Sequence, residues 1–261
     1  MGMLAPKKRA HEILDQIGVF GRKNASEFTI HRWKTQAKSL AESDIVDSKR
    51  ILAIIGVYEN NFEIAKKNFE QALALSNYEN SLVLCDYAQA LLMLGKGEDA
   101  LSYLVKAFNI EPSAKTLDRI LTLSNSLIYP DVLNEIRTLV TKLNINTDLY
   151  LPLIEETILK VNENIEFIEQ IGVSVSSYRS MINLSDLVLY SKFYTQTKIA
   201  ACKLDDMINT IIYPEHLTAD DISELNDDFV ENVIKAEIPL DDLLKISIYF
   251  SFDHQESRDV A

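Results

Sequence analysis

The chain has 261 residues, with 26 Lys and Arg against 39 Asp and Glu and a formal net charge of −13 at pH 7. That length holds one large domain or two smaller ones, and a hydrophobic share of 47% supplies a core. The acidic balance argues against a nucleic-acid partner, which calls for a basic face, and no run of about 18 apolar residues exists to span a bilayer.

Only 7 Gly and 6 Pro occur, well under the usual combined share of about 12%. Both residues punctuate turns, so the elements are long and few, which favours helices. Two cysteines, Cys85 and Cys202, make no disulfide framework. Both sit among apolar neighbours and read as buried, inert thiols of a reducing compartment. The start lacks an apolar leader segment, and a soluble cytoplasmic protein is expected. Charge is uneven along the chain. Residues 1–50 hold ten basic against six acidic residues, while residues 204–261 hold three against fifteen.

In chain order, three stretches come first: "ILDQIGVFGRKNASEFTIHRWKTQAKSL", "ILAIIGVYENNFEIAKKNFEQALALSN" and "LCDYAQALLMLGKGEDALSYLVKAFNIEP". A shift of 35 residues aligns them. Ile17, Leu52 and Tyr87 share a column, followed by the small Gly18, Ala53 and Ala88. Ile30, Ala65 and Ala100 share another, as do Ala37, Ala72 and Ala107, then Leu40, Leu75 and Ile110. Lys34 is a mismatch where Phe69 and Leu104 stand. Small residues recur where helices cross closely, and large apolar residues a turn away fill the space beside the crossing. Each unit is then a helical hairpin that buries its apolar face only by stacking on its neighbours.

These residues resemble a tetratricopeptide repeat over about residues 11–113. The third unit carries the likeness best, through Leu84, Tyr87, Ala88, Gly95, Ala100, Ala107 and Pro112. The second matches through Leu52, Ala53, Phe62, Ala65, Phe69 and Ala72, and the first through Leu14, Ile17, Gly18 and Ala37. The period of 35 departs from the family's usual 34, and the second unit ends in Asn77 where the third has Pro112. The resemblance implies an α-α superhelix that binds partners on the concave face lined by the first helix of each hairpin. Carried onto this chain, that face comprises Asp15, Val19 and Arg22, then Arg50, Ile54 and Val57, then Cys85, Gln89 and Leu92. The family's Lys/Asn/Arg clamp for a partner's terminal carboxylate is not reproduced, because Asp15, Val19 and Ile54 stand where clamp residues belong. The mixed face suits an amphipathic helix or apolar peptide; alternatively, the second half of this chain fills it.

A fourth, degenerate hairpin is expected from Ala114 to Ile145, with Pro130 in the first turn of its second helix. The alanines are lost there, since Glu135 and Lys142 replace them. This unit closes a repeat region of residues 1–146. Residues 147–261 form a helical, acidic C-terminal region. In it, "LYLPLIEETILKVNENIEFIEQIG" reads as one or two helices stopped at Gly172. Residues 173–213 read as mostly helical. Thr218 and Asp221 have the spacing of a capping box, and Pro239 can open a further short helix. "ISIYFSFDHQ" alternates Ile246, Ile248, Phe250 and Phe252 with Ser247, Tyr249 and Ser251, a strand period. A lone strand needs a partner: part of residues 173–213, a second chain in a homodimer, or a segment outside this sequence.

Chemistry is sparse. His11, His31, His216 and His254 sit in no zinc-binding spacing. Glu215, His216, Asp220 and Asp221 are better read as a solvated loop and a capped helix than as a metal site. No nucleophile motif, phosphate loop or dinucleotide fingerprint occurs, so no cofactor and no enzymatic activity are expected. Arg32, Trp33 and Lys34 could instead belong to the second helix of a helix-turn-helix, which would make the chain a transcription regulator. Overall the chain reads as all-α or mainly α: a tetratricopeptide-like superhelix, then a helical region with a short terminal strand. The expected function is an adaptor or regulator that holds a protein or peptide partner. An acidic inhibitor or immunity-type protein, covering a basic surface with residues 204–261, is the alternative.

Overall fold

The computed structural model describes residues 6–18, 25–193, 197–204 and 206–252. It is mainly α-helical, with twelve helices and one three-stranded sheet among those residues. The first eight helices form consecutive hairpins: α1 (Pro6–Gly18) with α2 (Glu27–Leu40), α3 (Ile45–Tyr58) with α4 (Phe62–Leu75), α5 (Ser81–Leu92) with α6 (Gly97–Ile110), and α7 (Ala114–Ser126) with α8 (Pro130–Leu143).

The helix starts are written locally. Ser26, Asp44, Asn61, Asn80 and Ser113 each accept a backbone N–H of the first turn through a side-chain oxygen, which satisfies one otherwise orphaned donor. The expected proline stands at the first turn of α8.

The alanine columns are the close crossings. Ala37, Ala72 and Ala107 are wholly buried, and Ala53, Ala65, Ala88 and Ala100 nearly so. Helices α3 and α5 are apolar almost all round, the pattern of helices with neighbours on every side; in α3 every residue from Ala53 to Tyr58 is buried. Aromatic rings tie helices together both between hairpins and within the third one. Trp33 of α2 meets Tyr58 of α3 edge-on at 5.5 Å, Phe69 of α4 stacks on Tyr87 of α5 at 4.9 Å, and Tyr87 meets Tyr103 of α6 at 4.7 Å. The Lys34 mismatch has a simple resolution. The first unit buries Trp33, one position earlier, in place of Phe69 and Leu104, and Trp33 Nε1 donates to Gln16 Oε1 at 3.2 Å. Lys34 turns outward to Glu59 at 2.7 Å.

After α8 comes one long helix, α9 (Thr147–Gln170), packed on α8 and α7. It ends at Gly172, whose φ of 73° suits the left-handed cap position that glycine occupies without strain. Then α10 (Val175–Lys192) follows.

The expectation of a mostly helical stretch from 173 to 213 is corrected here. Beyond α10 the chain forms β1 (Thr197–Leu204) and β2 (Met207–Pro214), an antiparallel pair. Then come α11 (Ala219–Lys235), α12 (Leu240–Leu243) and β3 (Ile246–Phe250). β3 pairs parallel to β2, with Ile208 opposite Ile246, Thr210 opposite Ile248 and Ile212 opposite Phe250. The terminal strand therefore finds its partner within residues 173–213 of its own chain. The six residues just named form the buried face of the sheet, against which α10 and α11 pack. There Phe229 meets Phe250 edge-on at 6.2 Å. The capping box at Thr218 and Asp221 is present, with both reciprocal hydrogen bonds.

Cys85 is half-buried and Cys202 is exposed, which corrects the expectation of two buried thiols. Cys202 lies on the edge strand β1, where every residue from Lys198 to Lys203 is exposed, so its side chain faces solvent.

Candidate functional site

The first helices of the second, third and fourth hairpins, α3, α5 and α7, lie side by side and are stitched by a polar ladder. Arg50 Nε donates to Asp86 Oδ2 at 2.5 Å, and its Nη1 to Asp47 Oδ1 at 3.3 Å. Burial works against the guanidinium's charge, but the two carboxylates outweigh it and hold the pKa above the usual arginine value. One step along, Arg119 Nη2 donates to Gln89 Oε1 at 2.8 Å and to the Cys85 carbonyl at 3.4 Å. The Cys85 thiol lies 3.8 Å from Thr116 Oγ1. Arg50 is thus fully paired, whereas no carboxylate partners Arg119 among the described residues.

The residues expected to line the concave face fall into three groups. Asp15 is exposed on α1, and Val19 and Arg22 lie outside the described residues. Arg50, Ile54 and Val57 are buried, at 7%, 8% and 3% exposure. Cys85, Gln89 and Leu92, 35 residues further on, are half-buried. The same three columns thus change from core at α3 to accessible surface at α5. Asp47, Asp86 and Arg119 complete the ladder and escaped the reading of the sequence. Their contacts link helices of different hairpins, so no local spacing marks them.

The second half of the chain packs mainly on the last hairpin, through α9 against α8 and α7, and touches the turn of three hairpins. After α3, α5 and α7 the chain passes through a left-handed residue: Asn60 (φ 57°), Gly95 (φ 64°) and Ile128 (φ 58°). Helix α10 meets all three turns. Arg179 Nε and Nη2 donate to the Leu127 and Ile128 carbonyls at 2.7 and 2.5 Å, and its guanidinium lies 3.7 Å from the centre of the Tyr129 ring. The two carbonyls belong to the negative end of α7, where a cation is favoured. Asn183 Oδ1 accepts the Gly97 N–H at 3.1 Å. Asn60 Nδ2 donates to the Ser191 carbonyl at 3.0 Å. Helix α10 is a strap that runs antiparallel to the order of the hairpins. Gly95 lets it close in, since a Cβ there would sit 2.5 Å from the Asn183 carbonyl oxygen. On the same side of α10, one turn past Asn183, lies Asp186, a buried carboxyl whose pKa burial pushes up to about 8.

Where the strap ends, a polar cleft of about 480 Å³ opens between Tyr58, Glu59 and Asn60 on one side and Ser191, Lys192 and Glu224 on the other. Lys192 bridges to Glu224 at 2.8 Å and also to Asp228.

The described residues contain no group of three His, Cys, Asp or Glu side chains placed to hold a metal. No helix among them is long and apolar enough to cross a membrane. In the helix-turn-helix alternative the would-be reading helix is α2, where Trp33 is buried and Lys34 is ion-paired while Arg32 is exposed. Compared with known proteins, the chain matches no protein family, no curated protein and no solved structure.

Proposed function

We propose that the chain is a non-catalytic adaptor or regulator of the tetratricopeptide-like kind, holding a partner peptide or helix across its α5 and α7 helices. The observation that carries this reading is Arg119. Its guanidinium is half-buried between two hairpins and bonded only to neutral oxygens, beside the half-buried stripe of Cys85, Gln89 and Leu92. A cation in such a place gains most from a partner's carboxylate, and the stripe offers apolar contact next to it. Arg50 offers no such valence, because Asp47 and Asp86 already meet it. The bound segment on this reading is short, amphipathic and carries an acidic residue. Capture of partners from a native-host lysate, quantified by mass spectrometry, tests it. Arg119→Ala and Leu92→Glu should each remove the same partner while leaving helical circular dichroism unchanged. Retention of that partner by both variants refutes the proposal.

The acidic-inhibitor alternative draws its support from the C-terminal charge and from the surface of α11. Binding led by that charge weakens steeply with salt, whereas binding in an apolar groove does not.

A further inference from the structure

Helix α11 has two apolar stripes and uses one. Ile222, Leu225 and Phe229 face the core. On the other side Val230 and Ile234 stand 57% and 77% exposed, one turn apart and therefore adjacent. Asp220, Asp227 and Glu231 lie along one flank of that pair, all exposed. Glu231 is engaged by Lys235 at 2.7 Å. Asp227 and Glu231 are like charges one turn apart, an arrangement that costs a solvated helix stability. Five residues beyond α11, Leu240 and Leu244 repeat the pattern at 69% and 66% exposure, with Asp241 between them also exposed. A helix that only faces water has no need of either feature. The inner flank of α11 displays the matching chemistry: Lys192 of α10 rests between Glu224 and Asp228, also one turn apart.

We propose that the outer face of α11, centred on Val230 and Ile234, is a docking site for a basic amphipathic helix of a partner protein. The partner's apolar residues cover Val230 and Ile234, and its lysines or arginines meet Asp220, Asp227 and Glu231. An anionic membrane or a nucleic acid would be repelled by the same carboxylates. A second copy of this chain does not supply the ligand through α1, its basic first helix, because Ala10, Ile13 and Ile17 of α1 are already buried in the core and Leu14 is packed against it. This surface is separate from the α5–α7 face and stands without it.

The test uses the full chain and a fluorescent 18-residue peptide of leucine and lysine, with leucines spaced as i, i+3, i+4 and i+7. A scrambled peptide of identical composition is the control, and anisotropy is read at low and high salt. The patterned peptide should bind at least about tenfold tighter than the scrambled one, since only a formed apolar stripe can cover the patch. Val230→Ser combined with Ile234→Ser should remove that preference. Asp227→Asn combined with Glu231→Gln should weaken binding about fivefold or more and flatten its salt dependence. All four positions are exposed, and far-UV circular dichroism checks that the variants fold. Arg119→Ala should bind the peptide as the unaltered chain does. The proposal is overturned if the two peptides bind alike, if either double variant binds as the unaltered chain does, or if Arg119→Ala alone abolishes binding.

Discussion

Replacing Asp186 by asparagine should make the protein more stable at neutral pH and remove a component of its pH dependence. The carboxyl is buried in the strap helix, and burial alone raises its pKa from 3.8 to about 8. The folded chain therefore holds a proton there through the neutral range, while the unfolded chain releases it near pH 4. Folding takes up one proton between those values. Stability then falls as pH rises, by about 1.4 kcal/mol per pH unit, and levels off above about 8. From pH 5.5 to 7.5 this single group removes on the order of 2–3 kcal/mol, a large share of the roughly 5–15 kcal/mol that holds a typical domain together. Asparagine is close in shape and has no proton to lose. Urea denaturation of both proteins at half-unit steps from pH 5 to 8.5 measures the effect, and the difference between the two curves isolates this group from every other carboxylate. The variant should gain steadily on the unaltered protein as pH rises. Parallel curves would refute the reasoning, because they would mean that Asp186 ionises freely in the folded state. Hydrogen exchange across residues 175–192 adds the location: protection of α10 should drop at pH 8 in the unaltered protein and hold in Asp186→Asn.

Arg179→Ala breaks two charge-assisted hydrogen bonds to the end of α7 and should lower stability by about 2–4 kcal/mol in urea melts; lysine should recover little, because a single ammonium does not reproduce the planar fork. Gly95→Ala places a Cβ against the Asn183 carbonyl at a left-handed backbone position, so it should cost about 1–2 kcal/mol from the dihedral alone and raise exchange in α10. Ile54→Glu should unfold the hairpins, since it puts a charge in the core, whereas Leu92→Glu should change the unfolding free energy by no more than about 1 kcal/mol; equal loss in both would mean that the α5 face is as closed as the α3 face. Phe69→Ala should cost about 3–5 kcal/mol, measured by calorimetry, through the lost stack on Tyr87.

Read alone, the sequence determined the hairpins, their order and the residues at which they cross. Ala72 and Ala107 could be identified because close packing leaves a size constraint at a fixed interval, and that constraint is local and repeated. The capping box at Thr218 and the alternation from Ile246 to Phe250 were legible for the same reason. The hairpin of β1 and β2 was not. β1 is an exposed edge strand with no buried side to print an alternation, and β2 carries Ile211 and Tyr213 between its core residues, which blurs the period of two. Tertiary structure decided everything that joins distant segments: Arg50 to Asp86, Arg119 to Gln89, and the strap that carries Arg179, Asn183 and Asp186 past three hairpins in reverse order. It also decided which of two equivalent stripes is surface. Ile54 and Gln89 hold the same place in the repeat, yet one is core and the other accessible. A repeat unit specifies which of its faces is apolar, while what covers that face depends on neighbours that its own residues do not encode.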